Sequence, residues 1–325
     1  TTYEACKEFC DAQGLQFEYY KPAGDSTAER VAQVDAAVAD GYNVIVMPGY
    51  AFAETIKQTA ELYPDVTFIA LDVAQGDLDP NGEGYTLPSN VYCAVYQEEL
   101  CGYMAGYAAV KLGYKHLGVL GGMAVPAVQR FGYGFVQGAD AAAVEMGIAD
   151  QVVMEYVYGN QFYGDADITA YMDNWFANLG VEVVFASGGG IYTSAAEAAA
   201  KVGGKLIGVD VDQSANIDTY GEGMCVTSAM KGLAETVKHM LSEVLAGNFA
   251  NYGGKIETLG LVSGDDPTAN YVQLPMETTQ WGDGFTQDDY KALVKAMFDG
   301  EVTVSNDTSA MPETTITVNF AGNIK

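Results

Sequence analysis

The stretch from residue 26 to residue 49 reads STAERVAQVDAAVADGYNVIVMPG. Ser26 and Glu29 have the spacing of a capping box, in which the serine bonds forward and the glutamate bonds back across the first helical turn. Valines then recur at helical spacing until Gly41, a residue type that commonly ends a helix. The next run, 43–49, is apolar and closes in a turn. The stretch therefore predicts a helix followed by a buried strand.

The same alternation of an amphipathic stretch and a short β-rich run continues along most of the chain. Further strands are predicted at 66–72, 90–96, 116–120, 152–158, 181–186, 205–210 and 224–228, and helices at 54–63, 98–112 and 231–245. Strands made of continuous Val, Ile and Leu are buried on both faces, which is typical of parallel sheets covered by helices. The predicted fold class is therefore α/β, with doubly wound parallel sheets.

The strand–helix units are too numerous for one sheet of about five or six strands. A chain of 325 residues is also near the limit of a single core. The glycine-rich helix 98–112 is expected to cross into a second lobe, and the chain is expected to return near Thr227. We predict an N-terminal lobe of 1–112 plus 229–262 and a C-terminal lobe of 113–228 plus 263–325, with the ligand in the cleft between them.

The sequence starts inside a helical pattern, at residues 2–13, with no strand before it. A doubly wound lobe normally begins with its central strand, and the loop after that strand contributes to the ligand edge of the sheet. We therefore expect a first strand and a binding loop upstream of Thr1.

The chain is strongly acidic, with 43 Asp and Glu against 15 Lys and Arg and a formal net charge of −28. Such a surface repels phosphate backbones and anionic lipid heads, so nucleic acid is not an expected partner. The two histidines, His116 and His239, leave little for zinc or histidine-based catalysis. The five cysteines are an odd number, so at least one thiol is unpaired, and we interpret them as small buried residues.

Ligands of open α/β sheets bind beyond the carboxyl ends of the strands, so the residues after each strand are the candidates. These segments are Gly49–Phe52, Asp72, Gly121–Met123, Gly159–Tyr163, Ser187–Gly190 and Asp210–Gln213. Their glycines, aromatic residues and aspartates suit a small neutral polyol or a flat heterocycle. They hold no nucleophile–base pair, so we predict no catalytic residue, metal or cofactor. Tyr50 and Met123 are included among the candidate ligand-binding residues.

Several of these residues also have ordinary structural interpretations. Asp72 and Asp210 are equally suited to capping the next helix or turn, and a single phenylalanine such as Phe162 is more often part of a core. Lys231 is predicted to open a helix, where the dipole disfavours a cation, and this favours a functional role for it. Residues 77–82 are similar to the first half of a calcium loop, but a proline at the twelfth position favours a solvated acidic turn.

Four linked motifs stand in order along the chain. They are Glu99–Ala109, Leu117–Pro126 with its continuation Phe131–Gly138, Ile207–Gln213 and Thr227–Lys231. Together they resemble the basic membrane protein family of bacterial lipoproteins, over residues 2–307. Members of that family are substrate-binding proteins of ABC importers, and the best-understood members bind purine nucleosides. The resemblance implies the type I periplasmic-binding-protein fold, with two lobes joined by a hinge.

The resemblance also implies roles at matching positions. Phe162 would stack on the purine, and Gly188 would approach the nucleoside. Asp210 and Lys231 would bind the ribose hydroxyls, and Asp72 would bind an edge of the base. The protein would close its lobes around a small-molecule ligand without a chemical step, and a membrane ABC permease would recognise the closed form.

The location implied by the resemblance is extracytoplasmic, at the cell membrane, with a lipid anchor upstream of the given sequence, and a monomer is expected. Other functions stay open. The same fold binds sugars and other small metabolites, although the presence of only two arginines, Arg30 and Arg130, favours a nucleoside. The ligand-sensing core of a regulator would need a DNA-binding head. An enzyme acting on nucleosides would need an aspartate cluster or a basic phosphate site, and neither pattern is visible.

Overall fold

The computed structural model describes residues 1–324, in which the chain divides into two units. The first comprises 1–96 and 232–259, and the second comprises 97–231 and the chain from 260 onward. The chain therefore passes between the units three times. It does so after Tyr96, Lys231 and Leu259, whereas the lobes were predicted to change after 112, 228 and 262. The helix at 98–112, which we assigned to the first lobe, belongs to the second unit.

Helices and strands alternate along most of the chain. The helices are α1 (Thr2–Gln13), α2 (Thr27–Ala39), α3 (Ala53–Thr59), α4 (Gln75–Leu78), α5 (Glu98–Lys111), α6 (Pro126–Glu145), α7 (Ala166–Asp173), α8 (Tyr192–Ala200), α9 (Ser214–Ile217), α10 (Leu233–Leu245) and α11 (Gln287–Phe298). The strands are β1 (Val44–Pro48), β2 (Thr67–Leu71), β3 (Val91–Tyr96), β4 (His116–Gly121), β5 (Val153–Tyr158), β6 (Val183–Ser187), β7 (Lys205–Asp210), β8 (Cys225–Lys231), β9 (Lys255–Leu259), β10 (Val272–Gln273) and β11 (Thr317–Asn323). The predicted α/β class is confirmed.

The first unit contains a four-stranded sheet in the order β1-β2-β3-β9, and all its pairs are parallel. Helix α2 begins with the predicted capping box of Ser26 and Glu29. The side chains of Phe68, Ile69 and Leu71 in β2 are fully buried, as a continuous apolar run predicts. Helix α1 packs on α10, so the two segments of this unit form one core.

The second unit contains a seven-stranded sheet in the order β10-β8-β7-β6-β4-β5-β11. Its pairs are parallel except for the pair of β10 with β8. The prediction that Lys231 opens a helix is wrong, because Lys231 is the last residue of β8 and α10 begins at Leu233. Lys231 stays extended because β10 pairs with this end of the strand through Val272. The dipole argument for Lys231 therefore does not apply.

Helices α5 and α6 approach each other through glycines. A Cβ atom at Gly102 of α5 would lie 2.2 Å from the carbonyl oxygen of Phe131, and one at Gly138 of α6 would lie 2.0 Å from that of Tyr103. Glycine costs up to about 1 kcal/mol in a helix interior relative to alanine, so its presence here is explained by the close backbone contact. This contact fixes the first turn of α5 against α6.

The acidic turn at residues 77–82 orders its own backbone. The carboxylate of Asp79 accepts hydrogen bonds from the backbone N–H groups of Glu83, Gly84 and Tyr85, at 2.7, 2.8 and 3.1 Å. These bonds hold the pKa of Asp79 below its usual range. The carboxylate that suggested a calcium ligand therefore serves the turn itself.

The five cysteines are free thiols, and four of them are buried while Cys10 is half-buried. This agrees with their interpretation as small core residues. In residues 1–324, none of the helices combines the length and the apolar composition that a membrane crossing requires.

Candidate ligand-binding site

Five of the seven predicted ligand-binding residues lie at one edge of the second sheet. Met123, Phe162, Gly188, Asp210 and Lys231 follow or end β4, β5, β6, β7 and β8, in that order. These five strands are neighbours and run parallel, so their carboxyl ends meet at one edge. The topology therefore brings together residues that are far apart in sequence.

The other two predicted residues, Tyr50 and Asp72, lie at the carboxyl edge of the first sheet. Tyr50 opens a 3₁₀ turn directly after β1, and Gly49 before it has a φ of 123°. Burial raises the pKa of the Tyr50 phenol. Asp72 follows β2, and its backbone N–H donates to the carbonyl oxygen of Ala94 at 2.8 Å. Because β1 and β2 are neighbours, Tyr50 and Asp72 follow adjacent strands.

Three residues that end or follow strands have a left-handed backbone conformation. The φ angle is 60° at Asp72, 59° at Asn160 and 67° at Asp210, and these are the non-glycine residues with positive φ in residues 1–324. Asn and Asp tolerate this region better than other residues. Such strain tends to concentrate at functional sites. The backbone thus singles out both predicted aspartates, and it adds Asn160, which sequence reasoning did not single out.

The capping alternative does not hold for Asp72 and Asp210 at the helices that follow them. The residue before α4 is Ala74, whose N–H donates to the carboxylate of Asp77 at 2.8 Å. The residue before α9 is Gln213. Neither Asp72 nor Asp210 therefore occupies the N-cap position of the next helix.

Asp210 and Lys231 belong to a group of four partly or fully buried charges. Lys231 Nζ lies 3.3 Å from Asp210 Oδ1 and 3.6 Å from Glu98 Oε1. Arg130 Nε donates to Glu98 Oε2 at 2.7 Å. The side chain of Glu98 is fully buried and that of Lys231 is 4% exposed, whereas Asp210 is 34% exposed. Two carboxylates and two cations offset each other, and Asp210 is the most exposed of the four.

Glu98 was not among the predicted site residues. Acidic residues in the first turn of a helix interact favourably with the helix dipole, so a glutamate at the start of α5 had an ordinary explanation. Its neighbour Glu99 is also buried, and burial raises the pKa of Glu99 to about 7. In the described part of the chain, Glu99 Oε2 has no hydrogen-bond partner. In the sequence these two glutamates look like any acidic residues in the first turn of a helix. Only the contact of α5 with α6 and β8 distinguishes them from such residues.

Phe162 is half-buried and does not belong to either core, so the core interpretation is wrong for it. Its carbonyl oxygen accepts from the N–H of Gly190 at 2.9 Å, which joins the loop after β5 to the turn after β6. A Cβ atom at Gly122 would lie 2.6 Å from Cδ1 of the Phe162 ring. The ring therefore rests on the backbone at Gly122.

Gly188 has a packing reason to be glycine. A Cβ atom there would lie 2.7 Å from both Cα and N of Gly122, because the ends of β6 and β4 are in direct contact. The N–H of Gly122 donates to the carbonyl oxygen of Ser187 at 2.9 Å. Close approach to a ligand at Gly188 stays a prediction beside this structural role.

Gln213 lies in one of the segments that follow strands, but sequence reasoning assigned it no role. Its side-chain Oε1 accepts from the N–H of Val209 at 2.9 Å, and its own N–H donates to Ser228 Oγ at 3.1 Å. These bonds fix the turn that carries Asp210 against β8. Within residues 1–324, no group of three or more His, Cys, Asp and Glu side chains is arranged to hold a metal ion.

Residues 1–265 match the family model described as ABC transporter substrate-binding protein PnrA-like. Basic membrane protein B of Borreliella afzelii is 27% identical over 237 residues, which are 72% of this chain and 64% of that protein. An uncharacterized lipoprotein of Pyrococcus horikoshii is 22% identical over 252 residues, or 76% of this chain and 59% of the relative. The matched region thus spans about three fifths of the length of these relatives.

Solved structures show the fold. A solute-binding protein of an ABC transporter system from Conexibacter woesei has a TM-score of 0.69 at 22% identity, over 93% of this chain and 92% of that chain. One from Aeropyrum pernix has a TM-score of 0.66 at 23% identity, over 94% and 82%. The predicted type I periplasmic-binding-protein fold is confirmed. Since the family model covers most of the sequence, the chain belongs to the PnrA-like family of ABC transporter substrate-binding proteins.

Proposed function

We propose that this chain is the solute-binding component of an ABC importer and that it binds a purine nucleoside without catalysis. The observation that carries the proposal is the pair of Asp210 and Lys231 at the carboxyl edge of the second sheet. The two groups are 3.3 Å apart, and Asp210 is the more exposed partner. A carboxylate held in this way is suited to accepting hydrogen bonds from two adjacent ribose hydroxyls.

The base would stack on the ring of Phe162, which is half-buried at the same edge. Stacking of a base on an aromatic side chain contributes about 1–3 kcal/mol. Met123 and Gly188 lie on the strand ends between Phe162 and Asp210. Tyr50 and Asp72, from the first unit, would complete the site when the two lobes close around the ligand, with Asp72 at an edge of the base. This closure is the step that the importer would recognise.

Membership of the family supports the remaining parts of the proposal. The protein would be extracytoplasmic and held at the cell membrane by a lipid anchor, and it would deliver its ligand to a membrane ABC permease as a monomer. Cell fractionation and proteomics of the mature N-terminus test the location. A native protein found in the cytoplasm with an unprocessed start would contradict it.

The ligand is tested by calorimetry with a purine nucleoside, its 2′,3′-dideoxy analogue, the free base and a hexose. We expect the nucleoside to bind most tightly, the dideoxy analogue to bind more weakly, and the hexose not to bind. If the hexose alone binds tightly, the ligand is a sugar and the proposed nucleoside is wrong. Chromatography of the nucleoside after long incubation with the pure protein tests for turnover, and free base above the buffer control would contradict a pure binding role.

The Asp210→Ala variant tests the ribose contact. We expect it to weaken nucleoside binding by about 1.5–3 kcal/mol, the value of hydrogen bonds to a charged group. The loss is limited because Lys231 retains Glu98 as a partner. Asp212→Ala is the matched control, since Asp212 lies on the same turn but binds Ser214 and Thr278. Equal losses in the two variants would contradict the assignment.

A further inference from the structure

Two members of the charged group have no role in the proposed contact with the ligand. We term the four residues Glu98, Arg130, Asp210 and Lys231 the charge cluster. Glu98 begins α5 and Arg130 lies in the second turn of α6, so neither is at a strand end. Their positions are set by the close glycine contact of the two helices rather than by the sheet.

The Lys231 ammonium lies between two carboxylates. Asp210 Oδ1 is 3.3 Å away on the strand-end side and Glu98 Oε1 is 3.6 Å away on the helix side. Both distances exceed the 2.7–2.9 Å or so of an ordinary charged N–H to carboxylate hydrogen bond. The ring of Phe131 also faces Lys231, with its centroid 5.5 Å from Nζ. The ammonium is therefore shared between the two carboxylates.

Arg130 holds the other oxygen of Glu98. This contact is 2.7 Å long, shorter than the distances from Lys231 to Asp210 and to Glu98, and Glu98 is fully buried. A buried carboxylate is costly unless it is paired and hydrogen-bonded, and Arg130 supplies that pairing. The position of the Glu98 carboxylate is therefore fixed independently of Lys231, which makes it a rigid point of attraction for the ammonium.

We infer that Glu98, held by Arg130, is a positioning residue that keeps the Lys231 ammonium from closing onto Asp210. Asp210 then retains the capacity to accept hydrogen bonds from ligand hydroxyls. The inference rests on the proposed function of this edge, the binding of adjacent hydroxyls. Glu98 itself does not contact the ligand in this arrangement and acts through Lys231.

The Glu98→Gln variant tests the inference because it keeps the shape and removes the charge. Without the Glu98 charge, Lys231 would be drawn more strongly to Asp210 and would compete with the ligand hydroxyls for that carboxylate. We expect about a tenfold to hundredfold loss of affinity for the nucleoside, the equivalent of one hydrogen bond to a charged group. The 2′,3′-dideoxy analogue, which lacks those hydroxyls, should lose less than about twofold on the same scale.

Two further variants separate positioning from general structure. Glu98→Asp keeps the charge and should recover part of the nucleoside affinity. Glu145→Gln is the matched control, because Glu145 of α6 pairs with Lys111 of α5 at 2.8 Å in the same helix pair but outside the charge cluster. It should leave both affinities unchanged. Equal losses for nucleoside and dideoxy analogue in Glu98→Gln, or no loss for either, would overturn the inference.

A measurement without ligand distinguishes this inference from the proposed function. If the wild-type protein binds no nucleoside, the proposed function fails, and the NMR signal of the Lys231 Cε–Hε group still reports on Glu98. We expect that signal to move in Glu98→Gln and not in Glu145→Gln, and an unmoved signal would contradict the inference. If Glu98→Gln does not fold, Arg130→Gln replaces it. That variant removes the partner that fixes the Glu98 carboxylate, so the Lys231 signal should move there as well, and an unmoved signal would contradict the inference.

Discussion

β1 in the first unit and β4 in the second unit are both short apolar strands in parallel sheets, yet their surroundings differ. β4 lies between β6 and β5, and its residues Leu117, Val119 and Leu120 are fully buried. Among the described residues β1 pairs with β2 alone, and its residues 44–46 are only half-buried. The apolar sequence of each strand predicts burial on both of its faces. β4 shows this burial, whereas β1 shows it only in part.

A groove along β1 accounts for the difference. It has a volume of about 910 Å³ and is lined by residues of α1, by the segment 15–20, by β1 and by the end of α10. Its lining includes the apolar side chains of Phe9, Phe17 and Leu241. The corresponding space beside β4 is filled by neighbouring strands.

This comparison shows how firmly each candidate residue is held. The residues that follow or end β4 to β8 are supported by strands on both sides, by the contact of Gly188 with Gly122 and by the charge cluster. Tyr50 follows a strand with one neighbour. We therefore expect the strand ends of the second unit to be more rigid than the turn that carries Tyr50 in the first unit.

The largest expected effect concerns Glu99, the buried carboxyl group of the second unit. Its pKa is about 7 in the folded protein against 4.5 for the ordinary group, so the folded state holds a proton that the unfolded state releases between these values. Stability should therefore fall as the pH rises from 4.5 to 7, by about 3 kcal/mol at 1.36 kcal/mol per pKa unit. Glu99→Gln should remove this part of the pH profile.

Urea unfolding between pH 4 and 8 measures the effect. Glu145→Gln serves as the control, since Lys111 and Tyr107 hold the pKa of Glu145 below its usual range and its removal should leave that slope in place. A profile that keeps its slope in Glu99→Gln would show that Glu99 is ionised in the folded protein.

A smaller effect is expected from overpacking the α5–α6 contact. A Cβ atom at Gly134 would lie 2.2 Å from the carbonyl oxygen of Glu99, so Gly134→Ala should destabilise the second unit by about 2–3 kcal/mol. Both tryptophans, Trp175 and Trp281, belong to that unit, and their fluorescence reports its unfolding. Gly76→Ala is the control, because a Cβ atom there meets nothing within 4 Å. If the unfolding midpoint of Gly134→Ala equals that of the wild-type protein, the two helices separate easily.

The strands that sequence reasoning found are those with continuous apolar runs, and the strands it missed are polar. β9 reads KIETL and its side chains are exposed or half-buried, so its pattern does not differ from that of a loop. β11 reads TVNFAGN and is also largely exposed. Both lie at the edges of their sheets, where one neighbour supplies the backbone hydrogen bonds and burial imposes no apolar pattern.

The candidate site divides in the same way. Asp210 was predictable because a strand ends at it, and ligands of α/β sheets bind at strand ends. Lys231 was selected with the wrong local structure, since the extension of β8 depends on pairing with β10, 41 residues further on, at Val272. Glu98 could not be found because its role depends on where α6 and β8 lie. Local patterns therefore identify the sheet edge, and long-range packing identifies the groups that support it.

The smallest expected effect is a difference of about 1–2 kcal/mol between the same substitution in two strands, and it tests the comparison itself. Val119→Ala in β4 removes methyl groups from a fully buried position and should cost about 2–3 kcal/mol, because transfer and cavity terms add. Val46→Ala in β1 alters a half-buried position beside the groove and should cost about 1 kcal/mol, since less area returns to water. Hydrogen exchange of the amides in each strand measures both losses within their own units. Equal losses would show that the groove beside β1 is closed in solution.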